Sequence, residues 1–409
     1  MKIPEILAPA GSMEALETAC LYGADAVYLG IQGQTSLRAG AKNFTLEGLR
    51  DAVTYAHARG VMVYLTLNTY PTDDQLEEIA LIIEEAENTG TDAIIVSDPG
   101  VLKMVKKRAP SIAIHLSTQA NTLNTESIQA WQEMGIDRVI LARELSCEQI
   151  QHIRDNTSME LELFVHGSVC ISISGRCLIS NYLTARDANQ GQCSQPCRWD
   201  YALVERTKHG EYMPIVEDNG HTFLYNSKDL SLMPVMDRVL GLGLAGIKIE
   251  GRNKTPLYIA TIVSAYRQCV DAWKDQGPGF RIQDAWIQEV SKVSNRGLFT
   301  GFFDHKPGIE GVNHGYGGYH HTHHLAAKVI GKNASRTVFE ARNPLIEGME
   351  MEWLSSSGEK RCFPLENAFS GEHGLKKIRP NEIFEMETTF TPLKGELIRK
   401  PFSEGDKII

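Results

Sequence analysis

Short apolar segments alternate with amphipathic segments from residue 5 to about residue 275, and this alternation constrains the fold most strongly. The apolar segments are nearly continuous, as expected of strands buried on both faces of a parallel sheet. The segments between them repeat apolar residues every three or four positions, which predicts helices. Thr255 before Pro256, for example, is typical of a helix start. Eight strands are predicted, at residues 6–8, 26–29, 61–65, 93–96, 112–116, 138–141, 161–165 and 246–249.

Eight strand and helix units favour a closed, TIM-like (β/α)8 barrel over an open doubly wound sheet. An open sheet often carries a glycine-rich phosphate loop after its first strand. Residues 8–12 (APAGS) follow the first predicted strand here, and they do not match that motif. We therefore predict an α/β fold built on a TIM-like barrel.

The sequence pattern divides the chain into unequal parts. Residues 1–300 form the predicted barrel domain, and residues 166–243 interrupt it after strand seven with a segment far longer than an ordinary connection. We interpret this segment as a functional insertion. Residues 301–324 are rich in Gly and His and are predicted to be a linker. Beyond them, residues 325–409 alternate strand-like runs with turns, which predicts a small all-β domain of the barrel type.

Composition limits the classes of function. The chain has 409 residues, of which 42% are hydrophobic and 22% charged, as in ordinary globular proteins. It contains no apolar run long enough for a transmembrane helix, and its N-terminal segment lacks the apolar core of a signal peptide. We therefore expect a cytoplasmic protein without a membrane partner.

The net charge of −10 does not favour a nucleic-acid partner for the chain as a whole, because phosphate contacts need clustered cations. A local basic patch can still supply such contacts. Two candidates are the helix end with Lys103, Lys106, Lys107 and Arg108, and the patch with Lys376, Lys377 and Arg379 in the C-terminal domain. A solvated charged surface is the simpler interpretation of both patches.

Four of the eight cysteines lie in the predicted insertion, within one stretch of 28 residues: Cys170, Cys177, Cys193 and Cys197. In a chain without a signal peptide, such clustering indicates metal binding or catalysis before disulfides. Fe–S clusters are held by four thiolates. Structural zinc usually takes two closely spaced pairs, and only Cys193 and Cys197 have that spacing. The pattern favours an Fe–S cluster, with zinc or unliganded structural thiols as alternatives. Because the insertion starts where barrel active sites form, the cluster would lie beside the substrate.

Two segments around these cysteines, residues 164–170 (FVHGSVC) and 174–180 (SGRCLIS), resemble the signature of the U32 peptidase-like family. The resemblance extends over nearly the whole chain and includes residues 5–11 (EILAPAG), 23–30 (GADAVYLG), 97–100 (SDPG), 115–117 (HLS), 249–252 (IEGR) and 295–297 (NRG). Within the family, the chain is most similar to a branch that hydroxylates tRNA. The segments that carry this similarity are residues 115–121 (HLSTQAN), 139–145 (VILAREL) and 186–201 (RDANQGQCSQPCRWDY).

The resemblance implies a 4Fe–4S cluster on the four cysteines and prephenate as the donor of a hydroxyl group. It also implies tRNA as the partner, with wobble uridine in the anticodon loop converted to 5-hydroxyuridine. Sister branches of the family hydroxylate ribosomal RNA or act in oxygen-independent ubiquinone synthesis, and older naming calls the group collagenase-like proteases.

A U32-type peptidase is the alternative from a different class. The sequence contains neither an H-E-x-x-H zinc helix nor a G-x-S-x-G elbow. A nucleophilic Cys170 with His166 as its base is conceivable, but it would leave the other clustered cysteines without a role. A non-enzymatic Fe–S sensor or assembly partner is a third hypothesis, which the charged residues at the strand ends disfavour.

Residues just beyond the predicted strands are the candidates for substrate binding, because barrel active sites are built there. Prephenate carries two carboxylates, which planar guanidinium groups bind well. We therefore predict Arg38, Arg143 and Arg252 as substrate-binding residues, together with Gln119. The competing interpretation is that Arg143 and Arg252 pair with their acidic sequence neighbours and brace the rim.

Three residues are predicted to be catalytic. His166, four residues before Cys170, is suited to shuttle protons near the cluster. Lys248 lies within the eighth predicted strand, where a lysine that points into a barrel is either catalytic or ion-paired. Glu250 follows the same strand.

Overall fold

Ten strands lie in the first 300 residues that the computed structural model describes, and eight of them close into a barrel. The structure describes residues 2–33, 35–37, 41–170, 172–199, 227–307, 309–313 and 319–402. The strands are β1 (Glu5–Pro9), β2 (Ala26–Leu29), β3 (Met62–Leu67), β4 (Ala93–Val96), β5 (Ala113–Leu116), β6 (Arg138–Ile140), β7 (Glu160–Ser168), β8 (Asp229–Ser231), β9 (Gly246–Ile249) and β10 (Leu298–Phe299).

The barrel consists of β1–β7 and β9, all parallel. It closes because β9 pairs with β1 on one side and with β7 on the other. Every residue of β2, β4 and β9 is buried, in agreement with their continuous apolar sequence. The predicted TIM-like barrel is confirmed.

Helices follow the barrel strands and cover them. In the described residues they are α1 (Met13–Leu21), α2 (Leu46–His57), α3 (Leu76–Thr89), α4 (Pro99–Arg108), α5 (Thr125–Glu133), α6 (Cys147–Asp155), α7 (Ile179–Thr184), α8 (Met236–Gly241), α9 (Pro256–Gln276) and α10 (Asp284–Ser291). Thr255 caps α9 as the sequence predicts, since its side chain accepts a hydrogen bond from the Tyr258 backbone N–H. No helix among these is long and apolar enough to cross a membrane.

The segment after β7 does not continue the alternation of strands and helices that forms the barrel. It begins with the cysteine-bearing residues 172–199, which form α7 and several short 3-10 turns. The chain returns in β8, which pairs antiparallel with the end of β7, and β10 then adds to β8. Residues 200–226 of the predicted insertion lie outside the described residues.

The C-terminal region has its own hydrophobic core and an antiparallel sheet with the strand order β15-β14-β20-β11-β12-β19-β16-β17. Within the described pairings, the outer strands β15 and β17 are not paired with each other. An all-β region is confirmed. Its strands are β11 (His323–Asn333), β12 (Arg336–Ala341), β13 (Leu345–Ile346), β14 (Glu350–Leu354), β15 (Lys360–Pro364), β16 (Ala368–Ser370), β17 (His373–Leu375), β18 (Lys377–Ile378), β19 (Ile383–Met386) and β20 (Leu397–Pro401).

Part of the segment predicted to be a linker packs on the barrel. Phe303 is buried in the barrel core, and its carbonyl oxygen accepts a hydrogen bond from the Cys147 backbone N–H at 2.9 Å. The chain then enters the C-terminal region at β11.

Candidate active site at the barrel mouth

A cavity with an empty volume of about 850 Å³, part of it open to solvent, lies where the barrel strands end. Eight of the eleven predicted site residues line it: Gln119, Arg143, Cys170, Cys177, Cys193, Lys248, Glu250 and Arg252. They come from different βα units, and the closure of the barrel brings them together. The cysteine-bearing segment therefore forms one wall of the cavity, and the strand ends form the others.

Hydrogen bonds fasten the cysteine-bearing segment to the barrel mouth. Arg176 donates through Nε to the Gln119 carbonyl oxygen at 2.9 Å and through Nη2 to the Tyr70 hydroxyl at 2.6 Å. The backbone N–H of Ser174 donates to the Glu144 carboxylate at 2.7 Å. These contacts hold the cysteine-bearing segment against the rim, and the bonds of Arg176 Nε and of the Ser174 backbone N–H are partly buried.

The four cysteines fit an Fe–S cluster by number and chemistry. They are half-buried, and none forms a disulfide within the described residues. The backbone N–H of Gln195 donates to Cys193 Sγ at 3.3 Å, the kind of hydrogen bond that tunes cluster potentials. Among the described residues, no group of three or more His, Cys, Asp or Glu side chains converges as ligands of a metal ion. A cluster is ligated at separate iron atoms, so its thiolates do not have to meet at one point.

Arg252 is buried and reaches the cavity between two glycines. Its Nη1 donates to the Ser36 and Thr66 hydroxyl oxygens at 3.2 and 3.1 Å. A Cβ on Gly30 would lie 2.1 Å from this Nη1, and a Cβ on Gly11 would lie 1.9 Å from the Arg252 carbonyl oxygen. Both glycines belong to the segments that carry the family resemblance, and their role here is to admit Arg252.

Arg143 and Gln119 face the cavity from neighbouring strand ends. Arg143 donates to the Ser168 carbonyl oxygen at 2.9 Å, and its guanidinium carbon lies 4.1 Å from the centre of the Phe164 ring. Gln119 is buried, and its side-chain oxygen has no hydrogen-bond partner among the described residues. A buried acceptor without a partner costs free energy, so it is suited to a ligand donor.

Lys248 is buried inside the barrel at the cavity floor. Its Nζ lies 3.5 Å from the Glu162 carboxylate and 4.4 Å from the centre of the Tyr28 ring. Burial lowers the pKa of Lys248 to about 8, while the neighbouring Glu162 opposes this shift. Glu250 accepts a hydrogen bond from the Ser168 backbone N–H at 3.3 Å and so orients the residue that also contacts Arg143.

His166 does not join the cavity. Its ring packs against Tyr258 and Tyr266 of α9, and its Nδ1 lies 3.4 Å from the Tyr266 hydroxyl. A register irregularity in β7 between Phe164 and His166 explains this placement, because a bulge sends the next side chain to the other face of the strand. Burial lowers the pKa of His166 to about 3, which keeps the imidazole neutral. The structure therefore gives His166 a packing position.

Two other predicted residues are not among those that line the cavity in the described part of the chain. Arg38 lies outside the described residues. Cys197 lies in the 3-10 turn Pro196–Arg198 and does not line the cavity, although Cys193 does.

Sequence reasoning missed the aromatic lining of the cavity. Tyr28 and Phe164 both line it, and both rings lie near Lys248 Nζ, at 4.4 and 5.4 Å. In the sequence they are ordinary apolar strand residues, and only their position on the inward face of the barrel distinguishes them.

The model of peptidase family U32 matches residues 11–313 of this chain. The chain is 36% identical to tRNA hydroxylation protein P1 of Bacillus subtilis over 367 residues, which cover 89% of this chain and 86% of that protein. Similar proteins from Escherichia coli, Haemophilus influenzae and two strains of Helicobacter pylori are named tRNA hydroxylation protein P.

Two further relatives have other names. The 23S rRNA 5-hydroxycytidine C2501 synthase of Escherichia coli is 34% identical and matches over 75% of this chain and 46% of its own length. A collagenase of Porphyromonas gingivalis is 32% identical over 73% of this chain and 73% of its own length.

Proposed function

The chain belongs to peptidase family U32, and we propose that it is an RNA-hydroxylating enzyme that converts wobble uridine of tRNA to 5-hydroxyuridine. One observation carries the proposal: three clustered cysteines share a single cavity with Arg143, Lys248 and other polar side chains. Thiolates for a redox cofactor and cations for an anionic donor thus meet at one place. The similarity to several tRNA hydroxylation proteins supports tRNA as the acceptor.

The cavity residues suit a small donor with two carboxylates, for which we propose prephenate. Arg143 and Arg252 both line the mouth and would bind carboxylates, together with the buried Lys248. The Gln119 side-chain oxygen would accept a hydrogen bond from a donor hydroxyl group. The rings of Tyr28 and Phe164 would cover the ring of the donor and limit access of water.

We assign Cys170, Cys177, Cys193 and Cys197 as the ligands of a 4Fe–4S cluster. When bound, the cluster would supply one-electron chemistry at the cavity wall. The protein's own part is positional: Arg176 and Glu144 hold the cysteine-bearing segment on the rim. Lys248 holds a proton near the donor, and its low pKa allows the proton to be exchanged close to neutral pH.

The acceptor fits the single-stranded anticodon loop, where an unstacked base can enter a pocket. Because this acceptor is a cellular RNA, we propose that the enzyme acts in the cytoplasm.

The peptidase alternative receives no support from the site geometry, although one relative is named a collagenase. It required His166 to act as a base for Cys170. The His166 ring instead packs against Tyr258 and Tyr266, on the outer side of β7.

The activity is tested by nucleoside mass spectrometry of RNA from a bacterial strain that lacks its own tRNA hydroxylation genes. Expression of the chain should restore 5-hydroxyuridine in tRNA, and the Cys193→Ala variant should not. Cys362→Ala is the matched control, because Cys362 is exposed on β15 and far from the cavity in the fold. No hydroxylated nucleoside with the folded wild-type protein would contradict the proposal. Hydroxycytidine in ribosomal RNA alone would show that the acceptor is wrong.

The cluster is tested separately by anaerobic purification with iron and sulfide assays. A 4Fe–4S protein contains about four irons and four sulfides per chain and has a broad visible absorption band. We expect these signals in the wild type and in Cys362→Ala, and their loss in Cys193→Ala. Zinc, or no metal after anaerobic purification, would contradict the assignment.

A further inference from the structure

A second pocket, separate from the barrel cavity, also has Cys193 in its lining. Its empty volume is about 660 Å³, part of it open to solvent. Its lining consists of Arg186, Cys193, Ser194, Gln195, Trp199, Arg296 and Tyr319. None of these residues except Cys193 has a role in the activity described above.

Two aromatic side chains of this pocket are exposed. Trp199 is 42% exposed and Tyr319 is 40% exposed, although both are large enough to favour burial. Exposed aromatic rings in one polar pocket are typical of sites where unpaired nucleobases stack.

Tyr319 contacts two cationic side chains. Arg296 is only 2% exposed, donates to the Tyr319 hydroxyl at 2.8 Å and has its guanidinium carbon 5.0 Å from the ring centre. Lys254 Nζ lies 4.4 Å from the centre of the same ring. Arg296 Nε has no hydrogen-bond partner among the described residues, and Arg296 lines the pocket. A preorganised ring and a buried donor reduce the ordering cost of binding a base.

The second pocket is physically connected to the barrel cavity. Cys193 lines both. Ser168 connects them as well, because its hydroxyl oxygen accepts from Arg296 at 3.0 Å while its carbonyl oxygen accepts from Arg143 at 2.9 Å. A ligand in either pocket would therefore lie next to the same cysteine.

We propose that the second pocket binds the target pyrimidine nucleotide of a single-stranded RNA, while the barrel cavity binds the small donor. The base stacks on Trp199 and Tyr319, and the adjacent phosphate lies against Arg186, which is exposed at the pocket edge. This inference rests on the proposed function and extends it, since it gives the two substrates separate pockets that share Cys193.

The test measures binding of an RNA hairpin with one uridine in its single-stranded loop, by fluorescence anisotropy with the anaerobically purified protein. Stacking of one base on an aromatic ring contributes about 1–3 kcal/mol, so Trp199→Ala should weaken binding about 5- to 150-fold. Trp199→Phe should bind within about threefold of the wild type, because it retains a ring. Tyr182→Ala is the matched control, since Tyr182 is 83% exposed on α7 of the same segment but does not line the pocket.

A hairpin with an abasic site in place of the uridine sharpens the test. The wild type should lose at least as much affinity for it as Trp199→Ala loses for the normal hairpin, because the abasic site removes the contacts with both Trp199 and Tyr319. The variant should lose less than the wild type with the abasic hairpin, since only the contact with Tyr319 is left to remove. Iron content of Trp199→Ala should equal that of the wild type, which separates loss of stacking from damage to the cysteine segment.

Equal weakening in Trp199→Ala and Tyr182→Ala, or equal abasic losses in the wild type and Trp199→Ala, would overturn the pocket assignment. These results would leave the proposed function standing if the wild type still produces hydroxylated tRNA. Conversely, base-dependent binding through Trp199 without any hydroxylated nucleoside in cells would support the pocket and contradict the proposed activity.

Discussion

The barrel mouth and the interface between the barrel and the C-terminal region both bury cations, but they surround them differently. At the interface, Arg399 is fully buried and contacts the Glu289 and Glu352 carboxylates at 2.6 Å each. At the mouth, Lys248 lies 3.5 Å from Glu162, with aromatic rings on its other sides. The charge of Arg399 is neutralised by carboxylates at hydrogen-bonding distance, whereas the charge of Lys248 is only partly compensated by Glu162.

This difference distinguishes contacts that stabilise the fold from contacts that serve the activity. A buried ion pair with close hydrogen bonds is costly to break, because removal of one partner leaves an uncompensated charge. A buried cation with a distant carboxylate has a shifted pKa and retains attraction for an anionic ligand, which is typical of active sites. We therefore expect changes at the interface to lower stability and changes at the mouth to lower activity.

The largest expected effect is at the interface. Arg399→Ala should lower the free energy of unfolding by about 3–5 kcal/mol, because Glu289 and Glu352 lose their shared partner. Urea unfolding measures this change. Arg361→Ala is the control, since Arg361 pairs with Glu359 on the exposed surface and should cost less than about 1 kcal/mol. Equal losses in both variants would break the comparison.

At the mouth, Lys248→Met should lower the hydroxylation rate about 100-fold while the unfolding midpoint changes far less than in Arg399→Ala. The charged lysine binds the anionic donor, and burial lowers the pKa of Lys248 to about 8. Wild-type activity should therefore fall as pH rises through about 8. The pH–rate profile of the variant should lack this step; a profile unchanged by the substitution would exclude Lys248 from the reaction.

Acid should weaken the interface. Burial alone would raise the pKa of Glu289, but Arg399 and Lys360 lower it to about 2, below its ordinary value of 4.5. A depressed carboxyl pKa stabilises the fold fully above the unfolded value, and this contribution is lost as pH falls from about 4.5 to about 2. The wild type should thus lose stability over that window, and Glu289→Gln should lose less. Parallel curves for the two proteins in denaturant titrations would refute this assignment.

The smallest expected effect tests a neutral contact at the same interface. The Tyr22 hydroxyl on the barrel side donates to the Leu354 carbonyl oxygen at 2.7 Å and accepts from the Leu397 backbone N–H at 2.9 Å. Tyr22→Phe should cost about 1–2 kcal/mol, because both buried backbone groups lose their partner. Thermal unfolding measures this cost. The iron content of Tyr22→Phe should be unchanged, which would distinguish a change at the interface from a change at the mouth. A loss of unfolding free energy greater than that of Arg399→Ala would mean that the ion pairs are not the main stabilising contacts of the interface.

The parts of the fold differ in how far the sequence predicts them. The eight barrel strands are mostly apolar runs, and the sequence predicts them near their observed positions. The C-terminal strands β13, β16, β17 and β18 have only two or three residues each, too few to show an alternating pattern. Their pairing depends on contacts with distant strands, which no local pattern reports.

The site residues also differ in how far the sequence predicts their positions. Eight candidates line one cavity, because residues that follow parallel strands all gather at one end of a barrel. His166 was expected beside them, and the irregularity in β7 placed it on the opposite face. Trp199 and Tyr319 are far apart in the sequence and acquire a shared pocket only through folding.

The sequence by itself determined the barrel, the family and the cysteine-bearing segment, because these depend on local periodicity, residue type and spacing. Only the tertiary structure decided which charges are neutralised and which remain partly compensated. That depends on differences of about 1 Å in the distances between side chains from different elements, such as Arg399 and Glu289 at 2.6 Å against Lys248 and Glu162 at 3.5 Å. Electrostatic energy and pKa respond steeply to such distances in a buried site, whereas the sequence pattern that produces the strands does not.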